Sequence, residues 1–92
     1  MATSAIGYGM VNANRLAANC KREALPGGLL GYELGAGLSG CKQVFIIRAA
    51  DAGKNSQVPC MIVYGSKGRA INWRKVKAAA LQFEHYMELI QS

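Results

Sequence analysis

Ninety-two residues, 51% of them hydrophobic, suffice for one domain with a thin core. Eleven Lys and Arg against five Asp and Glu leave a formal charge of +6, which favours polyanionic partners and says nothing about fold. No apolar run approaches the roughly 20 residues of a membrane span, and no basic segment leads into a clean apolar stretch as in a secretory signal. Three widely spaced cysteines (Cys20, Cys41, Cys60) and the lone His85 form neither a zinc set nor a disulfide framework. The expectation is a single cytoplasmic domain over 1–92 with free, mostly buried thiols, no metal and no cofactor.

Residues 1–11 carry Gly7 and Gly9 and read as irregular or extended. From Asn12, a good capping type, small or apolar residues at Ala13, Leu16, Ala17, Cys20 and Ala24 recur at helical spacing. That pattern predicts a first helix ending at Pro26-Gly27. Residues 27–40 hold six glycines in fourteen positions, so much backbone entropy is lost on ordering that a loop or an irregular strand is expected.

A β signal follows over 42–49, KQVFIIRA, with Phe45, Ile47 and Ala49 on one face and Val44 and Ile46 on the other. DAGKNS, 51–56, is turn chemistry of hairpin length. VPCMIVYG, 58–65, reads as the return strand, its Pro59 pointing to an edge or a bulge. Residues 69–72 suit a short third strand or the lead-in to a helix.

The strongest periodicity closes the chain. Trp73, Val76, Ala80, Phe83, Met87 and Ile90 step by 3, 4, 3, 4 and 3, one apolar seam with Asn72 as its cap. Full burial of its five large members contributes about 1.5–3 kcal/mol each, making this helix the anchor of the core. The predicted architecture is α+β, a small single domain of order α-β-β-(β)-α, with a short antiparallel sheet packed against two helices.

GAGLSG, 35–40, has the Gly-x-Gly-x-x-Gly spacing of a dinucleotide loop. Such a loop requires a helix to start at the glycines, so that free N–H groups meet the pyrophosphate, and an acidic residue about twenty positions later for the ribose. Here β-forming sequence follows Gly40 and nothing acidic lies near position 60. The motif is read as a connection.

Between Asp51 and Glu84 there is no acid, yet Lys54, Lys67, Arg69, Arg74, Lys75 and Lys77 fall there. Basic residues at the start of the last helix and Glu84 and Glu88 in its second half run against the macrodipole. Cationic side chains beside free N–H groups make a site for phosphate or carboxylate. Lys67, Arg69, Arg74, Lys75 and Lys77 are therefore the candidate anion-binding residues, with Tyr64 and Trp73 as bracketing aromatics; Trp73 also fits the core seam.

The stretch GSKGRAINWRKVKAAAL resembles the last strand-to-helix passage of the double-stranded-RNA-binding domain, in its glycine turn, clustered Lys/Arg and Ala-Ala-Ala-Leu helix. The resemblance covers about twenty-five residues and implies α-β-β-β-α order with phosphate contacts at the start of the helix. The chain departs from that family in spacing and lacks its Gly-Pro-x-His loop.

At about 100° per residue, Arg74, Ala78, Leu81, His85 and Leu89 form a second stripe nearly opposite the seam. Leu81, His85 and Leu89 are the candidate partner interface, for another protein or a second copy, unless residues 1–11 or the glycine-rich loop cover them.

No paired carboxylates, metal set or nucleophile elbow is present. The reading is a basic non-enzymatic module that engages nucleic acid or a nucleic-acid-handling complex. One alternative is an inhibitor of the phage-encoded, anti-CRISPR-like class docking on a protein subunit of a bacterial nucleic-acid machine; another is a small basic nuclease using His85.

Overall fold

The computed structural model describes residues 6–17, 21–35 and 37–91. Five antiparallel strands, β1 (Ile6–Asn12), β2 (Lys21–Leu25), β3 (Leu29–Leu34), β4 (Gln43–Arg48) and β5 (Gln57–Tyr64), form one sheet in the order β1-β5-β4-β3-β2. Helix α1 (Ala13–Ala17) follows β1, and α2 (Trp73–Ala80) and α3 (Phe83–Gln91) close the chain. The class is α+β.

The element order differs from α-β-β-(β)-α at the N-terminal half. Residues 6–12 are the edge strand β1, the helix after it spans only five residues, and Lys21–Leu25 pair with β3 as a strand. Ala13 and Leu16 do face a core, so the first turn of the predicted helix is real. Lys21-Arg22-Glu23 instead joins a β-ladder through the tight turn at Pro26-Gly27-Gly28, where both glycines have positive φ. Cys20 of the predicted stripe lies outside the described residues.

The glycine-rich segment also contributes a regular strand. β3 is interior, between β2 and β4, and Gly31 on it is a packing feature. The hairpin expected across 51–56 is present: β4 and β5 pair from Gln43↔Tyr64 to Ile46↔Met61. That ladder stops short of Pro59, which pairs only toward β1, at Met10, so its missing N–H removes no bond to β4.

Alternation along the strands splits the core in two. Val44, Ile46, Met61 and Val63 face α2 and α3, packing with Val76, Ala79, Ala80, Phe83 and Met87. Tyr32, Ile47, Val58 and Cys60 face the other side, with α1's Ala13 and Leu16. Both faces of β4 are therefore apolar, which is why its sequence shows a continuous hydrophobic run rather than clean alternation.

The predicted C-terminal helix is two helices. A turn at Leu81-Gln82 separates them, and the Gln82 N–H bonds to Ala79 C=O at 2.9 Å, three residues back, a tightened turn. The seam survives the break through Met87, but Ile90 comes out exposed.

Candidate functional site

The passage from β5 to α2, residues 65–72, is a lead-in to the helix and not a third strand. Three main-chain bonds hold it. Gly65 N–H donates to Lys42 C=O (2.8 Å), Gly68 N–H to Gly40 C=O (3.0 Å) and Arg69 N–H to Ser66 C=O (3.1 Å). The glycine motif thus supports this passage. Gly40 has φ +76° and accepts from Gly68, while the Lys67 stem crosses its open face, so that a Cβ there would stand 3.2 Å from Lys67 Cγ. No helix begins at Gly40, as the sequence implied.

The passage and the first turn of α2 enclose a concavity of about 680 Å3, whose lining includes Ser66, Arg69, Ile71, Asn72 and Lys75. No acidic side chain lines it. Among the described residues the ion pairs are Glu33–Lys42, Arg48–Asp51 and Lys54–Asp51; none reaches Lys67, Arg69, Arg74, Lys75 or Lys77. The five candidate cations are exposed to solvent.

They do not converge as one socket. Arg69 and Lys75 line the concavity, and Lys67 stands on the turn beside it. Arg74 and Lys77 lie about 100° and 160° around α2 from Lys75, on other flanks. Two further expectations need correction. The Asn72 side chain caps α2, its Oδ1 accepting from Arg74 N–H (3.1 Å) and Lys75 N–H (3.4 Å), so these first-turn groups are already satisfied.

The charge reversal along the helix largely dissolves at the Leu81-Gln82 break. Glu84 falls in the first turn of α3 and Lys77 in the last turn of α2, where the dipoles favour each. Arg74 and Lys75 in the first turn of α2 and Glu88 in the last turn of α3 still oppose it.

The bracketing aromatics do not flank the concavity as a pair. Trp73 is half-buried against the α2–α3 core, over Gly31. Tyr64 turns its ring to the opposite sheet face, where a Cβ on Gly7 would meet its hydroxyl at 3.3 Å. Trp73 does not line the concavity, whereas Tyr64 lies on its wall at the end of β5. Sequence reasoning missed Ser66 and Ile71, whose part depends on the Gly65 and Gly68 contacts with a segment twenty-odd residues earlier.

On the second stripe Leu81 and Leu89 are exposed (73% and 62%), as are His85, Ala78 and Arg74. Leu81 sits at the helix break and lines a smaller, mostly apolar hollow of about 330 Å3 with Pro26, Leu29 and Phe83, edged by Arg48 and Glu84. His85 is solvent-facing on α3.

The one buried carboxylate among the described residues is Asp51, in the β4–β5 turn. Arg48 Nε (2.8 Å) and Lys54 Nζ (2.9 Å) donate to its two oxygens. Burial pushes its pKa up, but the two hydrogen-bonded cations outweigh that and hold it below the usual carboxylate value. Burial pushes the Cys60 thiol up, only partly offset by the Gly9 main chain. No group of three or more His, Cys, Asp or Glu among the described residues is arranged to hold a metal, and no described helix is long and apolar enough to cross a membrane.

No protein-family model matches the chain, and comparison with curated proteins and with solved structures finds no significant similarity.

Proposed function

We propose that this protein is a basic binding module that takes nucleic-acid phosphates at the concavity between β5 and α2. The observation carrying the reading is that Arg69 and Lys75 share one acid-free hollow of about 680 Å3. An Arg guanidinium offers a planar fork to phosphate oxygens and Lys a mobile point charge. Ser66 and the Asn72 amide nitrogen, whose Oδ1 is committed to the helix, add neutral donors along the wall. Lys67, Arg74 and Lys77 extend the positive field around the mouth and steer a polyanion toward it. With Trp73 committed to the core and the Tyr64 ring tip against Gly7, recognition rests on backbone charge, and affinity varies little with base sequence.

The test is fluorescence anisotropy with labelled single- and double-stranded RNA and DNA across a salt series. The reading requires log affinity to fall linearly with log salt, with a slope of about −1.5 to −4.5 for two to five neutralised phosphates. Arg69→Glu with Lys75→Glu should remove most binding and flatten the slope. Salt-independent binding, or none to any of the four probes, overturns it.

A second reading is docking on a protein subunit through Leu81, His85 and Leu89, favoured by the 73% and 62% exposure of the two leucines. Leu81→Asp separates the two, since it leaves nucleic-acid affinity unchanged while abolishing a protein contact centred on that stripe.

A further inference from the structure

The two edges of the sheet are unlike. β2, KREAL, is guarded by Lys21, Arg22 and Glu23, the charged edge that discourages strand addition. β1, IGYGMVN, has no charge and no proline over seven residues, and pairs with β5 in unbroken register from Ile6↔Val63 to Asn12↔Gln57. Alternate main-chain groups along it therefore point away from the sheet, with no neighbouring strand among the described residues. Its exposed side chains are apolar: Tyr8 (46%) and Met10 (56%).

Both stand on the face that carries α2 and α3, where the Tyr8 ring lies 4.4 Å from that of Tyr86. Ile90, one turn beyond Tyr86 on the same side of α3, is exposed as well. Edge and helix together present one uncharged apolar strip on a chain of charge +6.

We infer that β1 pairs antiparallel with β1 of a second copy, about a two-fold axis through Gly9, joining two sheets into one. The strand is self-complementary in that register. Gly9 meets Gly9, Tyr8 of each copy faces Met10 of the other, and Val11 faces Gly7, large against absent side chain. Any other symmetric register pairs fewer residues and takes Tyr8 off Met10. A two-fold axis normal to the sheet keeps both helix layers on one side, so both Tyr8–Met10 pairs lie between the two α3 helices.

Charge agrees with this occupant. Ile6 lies at the end of β1 beside Val63, near the basic concavity, and Asn12 at the far end. Antiparallel pairing therefore sets the two cationic mouths at opposite ends of the joint, with no Lys or Arg in the paired strands.

Sedimentation equilibrium from about 10 µM to 1 mM, after nuclease digestion and in 0.5 M NaCl, tests the inference. The expected species is twice 9.8 kDa. Met10→Lys and, independently, Tyr8→Lys should return it to one chain with an unchanged circular dichroism spectrum. Leu81→Asp and Arg69→Glu with Lys75→Glu should leave the dimer intact, so loss of nucleic-acid binding and loss of the dimer are read separately. A single-chain mass at 1 mM, or a dimer that survives both lysine substitutions, overturns it.

Discussion

Trp73 covers Gly31: a Cβ on that glycine would stand 3.1 Å from the indole Cζ3 and 3.2 Å from both Leu25 Cδ1 and Val44 Cγ1. The absent side chain lets the first residue of α2 settle on the sheet, which fixes where Asn72 and Lys75 fall. Gly31→Ala overfills a site with three close neighbours and should cost about 1–3 kcal/mol, read as a lower denaturant midpoint at unchanged m-value. Trp73 fluorescence should shift with it, and an unshifted spectrum with full stability would show that the indole does not rest there.

Asp51 gives the protein an acid limit. Its folded pKa is depressed by Lys54 and Arg48 despite burial, so folding is favoured by this group above its unfolded pKa of about 3.9. That contribution fades as pH falls through the lower folded value. Asp51→Asn should cost about 1–2 kcal/mol at pH 7, while the gap to wild type closes as acid is added below about pH 4. Arg48 and Lys54 reach solvent and stay hydrated without their partner, which keeps the neutral-pH loss modest. Parallel urea curves at all pH values would contradict this.

The parts of the fold legible in the sequence were those fixed by local pattern. The β4–β5 hairpin, the Asn72 cap and the seam from Val76 to Met87 each follow from residues within one or two turns of one another. The N-terminal half differs because Ala13, Leu16 and Ala24 fit a helical period with mostly small residues, a weak signal that the β2–β3 ladder overrides. β3 was hidden by its glycines: Gly31 weakens a strand locally, and the close approach of Trp73, Leu25 and Val44 explains it. At the candidate site, the acid-free run placed Arg69 and Lys75 in one basic segment. Their shared hollow depends on Gly40 and Lys42, which no periodicity connects to them.

The two described thiols should differ in reactivity. Cys60 is buried between the sheet and α1's side of the core and its pKa is raised, whereas Cys41 is half-exposed on the passage to β4. The thiolate is the nucleophile, so burial slows Cys60 twice, by access and by protonation. In a Cys20→Ser background, iodoacetamide at pH 8 should label one thiol in the native protein and both after unfolding, counted by mass spectrometry. Native labelling of both at similar rates would mean that the α1 side of the sheet opens readily.

Gly40→Ala should separate the architecture of the basic mouth from its charge. At φ +76° a Cβ costs about 1–2 kcal/mol, and the nearest atoms it meets are Lys67 Cγ and Cε at 3.2 and 3.3 Å. Those are positions on a flexible stem, so the lysine moves off while the net charge is untouched. The Gly68 N–H to Gly40 C=O bond then loosens with the altered turn, and the loop that carries Arg69 loses one of its three main-chain ties. Nucleic-acid affinity should fall several-fold with the salt slope reduced by about one, the signature of a lost phosphate contact. If affinity drops while the slope stays at its wild-type value, Lys67 takes no part in neutralising phosphate and the mouth is confined to Arg69 and Lys75.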